Sequence, residues 1–290
     1  MGRKKRKKTG RPFISKMLFL VLFLSLLYLY ARYVEVDNIK VSEYIIKTSL
    51  IADSFDGFKI VQFSDLELGS TFNIENMESL VEMINHENAD IVVFTGDLVS
   101  KYHDLTVSEQ DELIKYFNQI ESNLGLYAVR GDDDVNSIYK EVVNKTNFRD
   151  LTNNYELIYY KDMTPIIIYG LDSLLNGTQD LENTFSYPSI DDNEEFMAKY
   201  SILLVHEPDT YDKVKDYNLN LILSGHSHNS EVNIPYLKTL YKIKGATSYY
   251  DAYYKLDDTD LYISSGLGTS KYHVRINANP SISVYKLYKE

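Results

Sequence analysis

Two imidazoles close an apolar run at Leu223-Ser224-Gly225-His226-Ser227-His228. In an extended segment residues i and i+2 share a side, so His226 and His228 are expected to face one cavity. Such a pair suits two neighbouring metal ions, but also a single mononuclear site or no ion at all. The weight toward metal chemistry comes from upstream, where each earlier hydrophobic run also ends in acidic residues or a histidine. Asp65 and Glu67 follow 59–64, Asp97 follows 90–96, Asp132 follows 125–131, and His206 follows 201–205. Five strands would thus deliver ligand-type side chains at their C-terminal ends, where open α/β sheets build their sites. The chain has no cysteine, so any ion must be held by oxygen and imidazole.

The elements that must position these residues read as alternating strands and helices. Residues 36–50 alternate enough for an opening strand, and 58–63, 91–95 and 126–130 read as buried strands. Between them, 74–85 is an amphipathic helix with Met77, Leu80, Val81 and Ile84 on one face. A second helix is expected at 108–120, with Ser108 as N-cap and Asp111 completing a capping-box spacing. After residue 150 the texture changes: 155–160 and 165–169 read as paired strands, 176–193 as a polar loop, and 202–205, 219–223, 261–264 and 281–287 as further strands. Strand, helix, strand order argues for α/β layering. Tyr249, Tyr250, Tyr253 and Tyr254 cluster, either as plain packing or as an aromatic patch facing a substrate.

Charge divides the chain. Nine of the 30 basic residues fall at or before Arg32, while all 42 acidic ones lie at or after Glu35, so residues 33–290 hold 21 basic against 42 acidic residues and carry −21. No nucleic-acid partner is expected for such a domain. Seven basic residues within 1–12 precede an apolar segment over 13–33, broken only by Ser15, Lys16, Ser25 and Arg32, with Tyr28, Tyr30 and Tyr33 as an interfacial belt. This reads as a basic cytoplasmic tail (1–12), a single transmembrane anchor (13–33) and one extracytoplasmic domain (34–290), N-terminus inside the cell membrane. A cleaved signal peptide is disfavoured because small residues at −3 and −1 spacing are lacking.

Taken together, Ser64-Asp65-Leu66-Glu67, Thr95-Gly96-Asp97-Leu98-Val99, Val129-Arg130-Gly131-Asp132-Asp133-Asp134, Val205-His206-Glu207-Pro208 and Gly225-His226-Ser227-His228 resemble, in order and spacing, the D-x-H, G-D, G-N-H-[DE], H and G-H-x-H motifs of calcineurin-like metallophosphoesterases. The tail Gly266-Leu267-Gly268-Thr269-Ser270, with Arg275 and Pro280, is similar to the bacterial membrane-associated branch. The resemblance runs from about Phe58 to Leu287. It implies a four-layer α/β/β/α double β-sandwich, and a phosphoesterase with two divalent ions bridged by an aspartate. Carried over, the first ion takes Asp65, Glu67, Asp97 and His228, and the second Asp97, Asp132, His206 and His226. The bond implied is a phosphodiester, phosphomonoester or pyrophosphate, with lipid-linked esters among the substrates that tethering to a membrane makes attractive. No oligomeric state follows.

Three positions depart from the family pattern. Glu67 stands for a histidine ligand, Asp132 for an asparagine ligand, and Asp133 for the histidine that supports the scissile phosphate. The first two keep ligand capacity and favour hard ions, Mn2+ or Mg2+ over Fe or Zn. The third removes a neutral donor: an ionised Asp133 repels phosphate, while one protonated under the influence of Asp132 and Asp134 acts as an acid. Asp133, Asp134 and His273 are therefore the candidate catalytic residues, with His103 as a further imidazole near the mouth. The alternative reading is a catalytically degenerate binding domain at the cell surface.

Overall fold

The structure, a computed structural model, describes residues 11–187, 197–234 and 242–290. The basic tail up to residue 10 and the end of the polar stretch, from 188 on, lie outside the described residues. The apolar segment forms a single helix, α1 (Arg11–Tyr33), whose section Phe13–Tyr33 has a mean hydropathy of 2.1 and is largely uncovered by the rest of the chain up to its last turn, where Ala31 is buried. By length and composition it can cross a membrane. Its last turn joins the domain without a linker. The Ala31 carbonyl accepts the backbone N–H of Arg275 at 3.0 Å, and buried Glu35 accepts that of Ala278 at 3.0 Å.

Two six-stranded sheets follow. The first orders β1 (Lys40–Thr48), β12 (Ser281–Lys289), β2 (Phe58–Phe63), β3 (Ile91–Phe94), β4 (Gly125–Ala128) and β5 (Phe148–Asp150). The second orders β10 (Tyr253–Leu256), β11 (Thr259–Ile263), β9 (Leu221–Ser224), β8 (Ser201–Leu204), β7 (Ile166–Gly170) and β6 (Asn154–Ile158). Strands β2 to β5 run parallel, as do β7, β8, β9 and β11. Their residues alternate between two cores, as period-2 geometry requires. Phe58, Ile60, Ile91 and Val93 face Ile202, Leu204, Leu221 and Leu223 across the gap between the sheets. Val61, Phe63, Val92 and Phe94 point the other way, under α2 (Met77–His86), α3 (Val107–Phe117) and α4 (Ser137–Asn144). The outer face of the second sheet, with Leu203, Ile222 and Leu261, is covered by Tyr249, Tyr254 and two single-turn helices, α5 (Leu181–Thr184) and α6 (Tyr211–Val214). The architecture is the expected four layers, one of them thin.

One polar side chain crosses the inter-sheet core. Gln62 donates to Thr95 Oγ1 at 2.9 Å and to the Ser224 carbonyl at 3.0 Å, and accepts from Tyr285 Oη at 2.7 Å. Both its N–H donors and its carbonyl oxygen are engaged, so it stitches the two sheets together just below the ends of β3 and β9 instead of weakening the core. Elsewhere the boundaries differ from expectation in small ways. A 3-10 turn, Ile74–Asn76, precedes α2. The cap of α3 is Thr106 with Glu109, not Ser108 with Asp111: the Thr106 hydroxyl accepts from Glu109 N, and Glu109 accepts from Thr106 N at 2.8 Å. Both spacings satisfy the capping-box pattern, and the one with the longer carboxylate arm closes it.

Candidate metal centre

Register brings the ligand-bearing ends of the strands to one edge. Phe63 pairs with Phe94 and Phe94 with Ala128, while Leu204 pairs with Leu223 in the facing sheet. Asp65, Asp97, Asp132, His206 and His226 therefore emerge two to four residues past one aligned row in each sheet. The chain does not continue extended beyond that row. Asp65 (φ 51°), Glu67 (44°), Asp97 (58°), His226 (67°) and His228 (49°) all adopt left-handed backbone, each at a cost of order 1–3 kcal/mol. His226 and His228 thus share a cavity through these turns, not through the strand alternation the sequence implied. Gly225 and Gly131 permit the close approach: a side chain on the first would meet Ser64 Oγ and the Asp65 carboxylate, on the second the Asp97 carboxylate.

Two ligand groups result. Ligand atoms of Asp97, Asp132, His206 and His226 lie within 4.8 Å of one another, as do those of Glu67, Asp97 and Asp133, so Asp97 belongs to both. The imidazoles are oriented from behind. His206 Nδ1 donates to the Thr95 carbonyl at 2.7 Å, which leaves Nε2 facing Asp97 Oδ2 at 3.0 Å and Asp132 Oδ1 at 3.2 Å. His226 Nε2 donates to the Lys244 carbonyl at 2.8 Å, which leaves Nδ1 facing Asp132 Oδ1 at 2.8 Å. Backbone acceptors of this kind fix the tautomer that presents a lone pair to an ion. Asp65 and His228, expected at the first ion, lie against each other, with His228 Nε2 3.2 Å from Asp65 Oδ1. Asp65 Oδ2 and Glu67 Oε2 are buried with no hydrogen-bond partner, which is costly unless a cation completes them. Together the donor set and the orphaned oxygens fit a pair of divalent ions.

The electrostatics carry the same signature. Burial, then the Asp97, Asp133 and Asp65 charges, pushes Glu67 well above the usual carboxylate range. Burial and Asp97 push Asp134 up to about 7. Burial alone would lower His206 and His226, but Asp97, Asp132 and Asp65 around the first, and Asp132 with Asp97 around the second, hold both above the ordinary imidazole value. Asp65 and Asp132 are held low despite burial, by His228 and His206 in the first case and by His206 and His226 in the second. In the metal-free protein the folded state therefore binds more protons than the unfolded one through neutral pH. Stability is greatest at the acid end of this window and is lost as pH rises through the raised values, by roughly 1.4 kcal/mol per pH unit for each proton of difference. Denaturant unfolding of chelated protein between pH 5 and 8 should show this fall. Mn2+ affinity, measured by calorimetry over the same interval, should rise as those protons leave. A flat pair of profiles would show that the cluster is not a proton store.

Of the remaining candidates only Asp133 is brought into the cluster. Asp134, expected to be catalytic, is fully engaged elsewhere: Oδ2 accepts Asp97 N at 2.9 Å and Gly131 N at 2.8 Å, and Oδ1 accepts Leu98 N at 2.9 Å. It is a clamp between two ligand loops, because three backbone N–H groups consume its lone pairs. His273 Nδ1 meets Thr269 Oγ1 at 3.1 Å and does not line the cleft; His103 turns to Glu109 at 3.6 Å. Of the tyrosines, Tyr249 stacks edge-on against Tyr211 and Tyr254, Tyr253 lies on Tyr262, and Tyr250 alone borders a hollow beside His226 and His228. Asp133 does face the cleft, a cavity of about 310 Å³ shared with Glu67, Asp97, Asp132 and both histidines of the pair. Beside it stands Lys101, which no sequence motif singled out. Arg275 is buried and braces the tail motif, donating to the carbonyls of Ser265 (2.7 Å), Ala278 (2.9 Å) and Gly268 (2.5 Å). Within that motif Leu267 N and Gly268 N donate to the Asp65 carbonyl, so the loop props the first ligand strand end.

A family model described as calcineurin-like phosphoesterase matches residues 58–230. The Bacillus subtilis protein named uncharacterized metallophosphoesterase YkuE is 34% identical over 264 residues, covering 90% of this chain and 89% of that protein. A Danio rerio transmembrane protein with metallophosphoesterase domain is 25% identical over 84% of this chain, which spans only 56% of that relative. UDP-2,3-diacylglucosamine pyrophosphatase LpxG of Chlamydia muridarum is 23% identical, with 81% of this chain and 84% of that protein covered.

Proposed function

The chain belongs to the calcineurin-like phosphoesterase family, and from that premise we propose that it is a membrane-anchored hydrolase cutting a phosphate ester or pyrophosphate bond at a dinuclear centre. The observation that carries this reading is the gathering of seven ligand-type side chains: Glu67, Asp97, Asp132, His226 and His228 line one cleft, Asp65 and His206 are buried against them, and Asp65 Oδ2 and Glu67 Oε2 are buried without a hydrogen-bond partner. Two bound ions would lower the pKa of a shared water and clamp phosphoryl oxygens. The chain's own part is to hold them: Asp97 between both, Asp132, His206 and His226 on one side, Glu67 and Asp65 with His228 on the other. Four carboxylates among these ligands favour Mn2+ or Mg2+. A pyrophosphate within a lipid-linked or nucleotide-linked substrate suits both the anchor and the relative that is a UDP-2,3-diacylglucosamine pyrophosphatase.

Purified protein should hydrolyse aryl phosphodiesters and nucleotide diphosphate esters with Mn2+, and lose this on chelation. No turnover with Mn2+, Mg2+, Fe2+ or Zn2+ on either substrate class would leave a degenerate binding domain instead. Orientation is part of the proposal: seven basic residues precede the span and no matching basic cluster follows it, so the domain faces out. Protease added to intact cells should digest the domain, whereas full protection until lysis would place it in the cytoplasm.

A further inference from the structure

Asp133 occupies the position where the family pattern has a phosphate-supporting imidazole, and a bare carboxylate there would oppose an anionic substrate. It is not bare. Lys101 Nζ stands 3.2 Å from both Asp133 oxygens, and the two side chains line the same cavity as Glu67, Asp97 and His228. The backbone that carries Lys101 is fixed. Asp134 holds Asp97 N and Leu98 N, and Ser100 N donates to the Leu68 carbonyl at 3.2 Å. On the other arm, Asp133 N donates to Asp97 Oδ1 at 2.9 Å, which anchors the carboxylate beside the aspartate common to both ligand groups. Lys101 itself remains half exposed, with one N–H beyond those given to Asp133 for a further partner at the mouth.

We infer that Lys101 is the phosphate-binding cation of this cleft, steered over the ligand cluster by Asp133, so that the pair does together what a single histidine does in the family pattern. The inference rests on the phosphoesterase reading and deepens it. An ammonium is a donor at every pH at which the metal ligands are ionised, so it supports phosphoryl charge without titrating near neutrality as an imidazole does. It is also a poor acid. A site built this way neutralises a leaving anion but does not protonate a leaving alkoxide, so it favours bonds whose leaving group is already a stable anion, such as the phosphate of a diphosphate linkage, over alkyl monoesters. Lys244 and Lys271 line the same cavity and offer cations for a second phosphoryl group.

The test is calorimetric titration of inorganic phosphate into the full chain in detergent, saturated with Mn2+. Lys101→Met should weaken phosphate roughly ten- to a hundredfold, the worth of one charge-assisted hydrogen bond, with Mn2+ stoichiometry and affinity unchanged. Lys101→Arg should bind phosphate within about threefold of the native chain. In kinetics, Lys101→Met should lose about the same factor in kcat/KM for aryl esters of differing leaving-group acidity, since charge support, not proton donation, has been removed. Unchanged phosphate binding in Lys101→Met, or a parallel loss of Mn2+, would reduce Lys101 to a counter-ion and overturn the inference. If the native Mn2+-loaded chain binds no phosphate at all, the phosphoesterase reading falls, and this inference falls with it.

Discussion

Asp97→Asn should abolish turnover, by at least about a thousandfold at saturating Mn2+, while the protein stays folded. Asp97 is the residue shared by both ligand groups: Oδ2 faces His206 Nε2 at 3.0 Å and Oδ1 accepts from Asp133 N. An amide at that position keeps one acceptor but removes the charge that lets two dications approach each other. A loss of several kcal/mol of stabilisation converts to about a thousandfold or more at ~1.4 kcal/mol per tenfold. Metal analysis should show the bound Mn2+ falling from two ions toward one. Activity within tenfold of the native chain, with both ions retained, would mean that Asp97 does not bridge them.

The second large effect is on stability. Asp134→Ala leaves three buried N–H groups, of Asp97, Leu98 and Gly131, without an acceptor. At about 1–3 kcal/mol for each stranded group, partly relieved by relaxation, a loss of roughly 3–4 kcal/mol is expected. In a domain of this size that lowers Tm by about 8–15 °C. Asp134→Asn should recover part of it, because its carbonyl oxygen still accepts Asp97 N and Gly131 N while its amide is set against Leu98 N–H. An Asp134→Ala protein with native Tm but no activity would return Asp134 to the chemical role that its place in the motif first implied.

What was legible in the sequence followed from local rules. Residues 58–63 and 91–95 read as buried strands because β-branched and aromatic residues run between turn signals, and the ligands stand just past each run. The left-handed turns at Asp65, Glu67, Asp97, His226 and His228 were not legible, since Asp and His enter that region only where surrounding contacts hold them there. Lys101 was missed for a related reason. Its meaning lies in a contact with Asp133 across two loops, and a lone lysine after a strand carries no periodic signal. α4 and β10, at eight and four residues, are too short to raise a pattern above their neighbours.

The junction between α1 and the domain has a mechanical consequence. Residues 265–278 receive the end of the helix at Ala31 and also prop Asp65, with Arg275 tying the two contacts together. A chain joined this way is mounted on a bracket, not held on a leash. Were the helix embedded in a bilayer, these contacts would hold the cleft at one height and one tilt while the molecule diffuses in the plane. On the proposed reading it would meet phosphates carried at that height and pass under those displayed farther out. Lengthening the junction with a flexible insert after Tyr33 would relax this selection by reach, even with every ligand to the ions left in place.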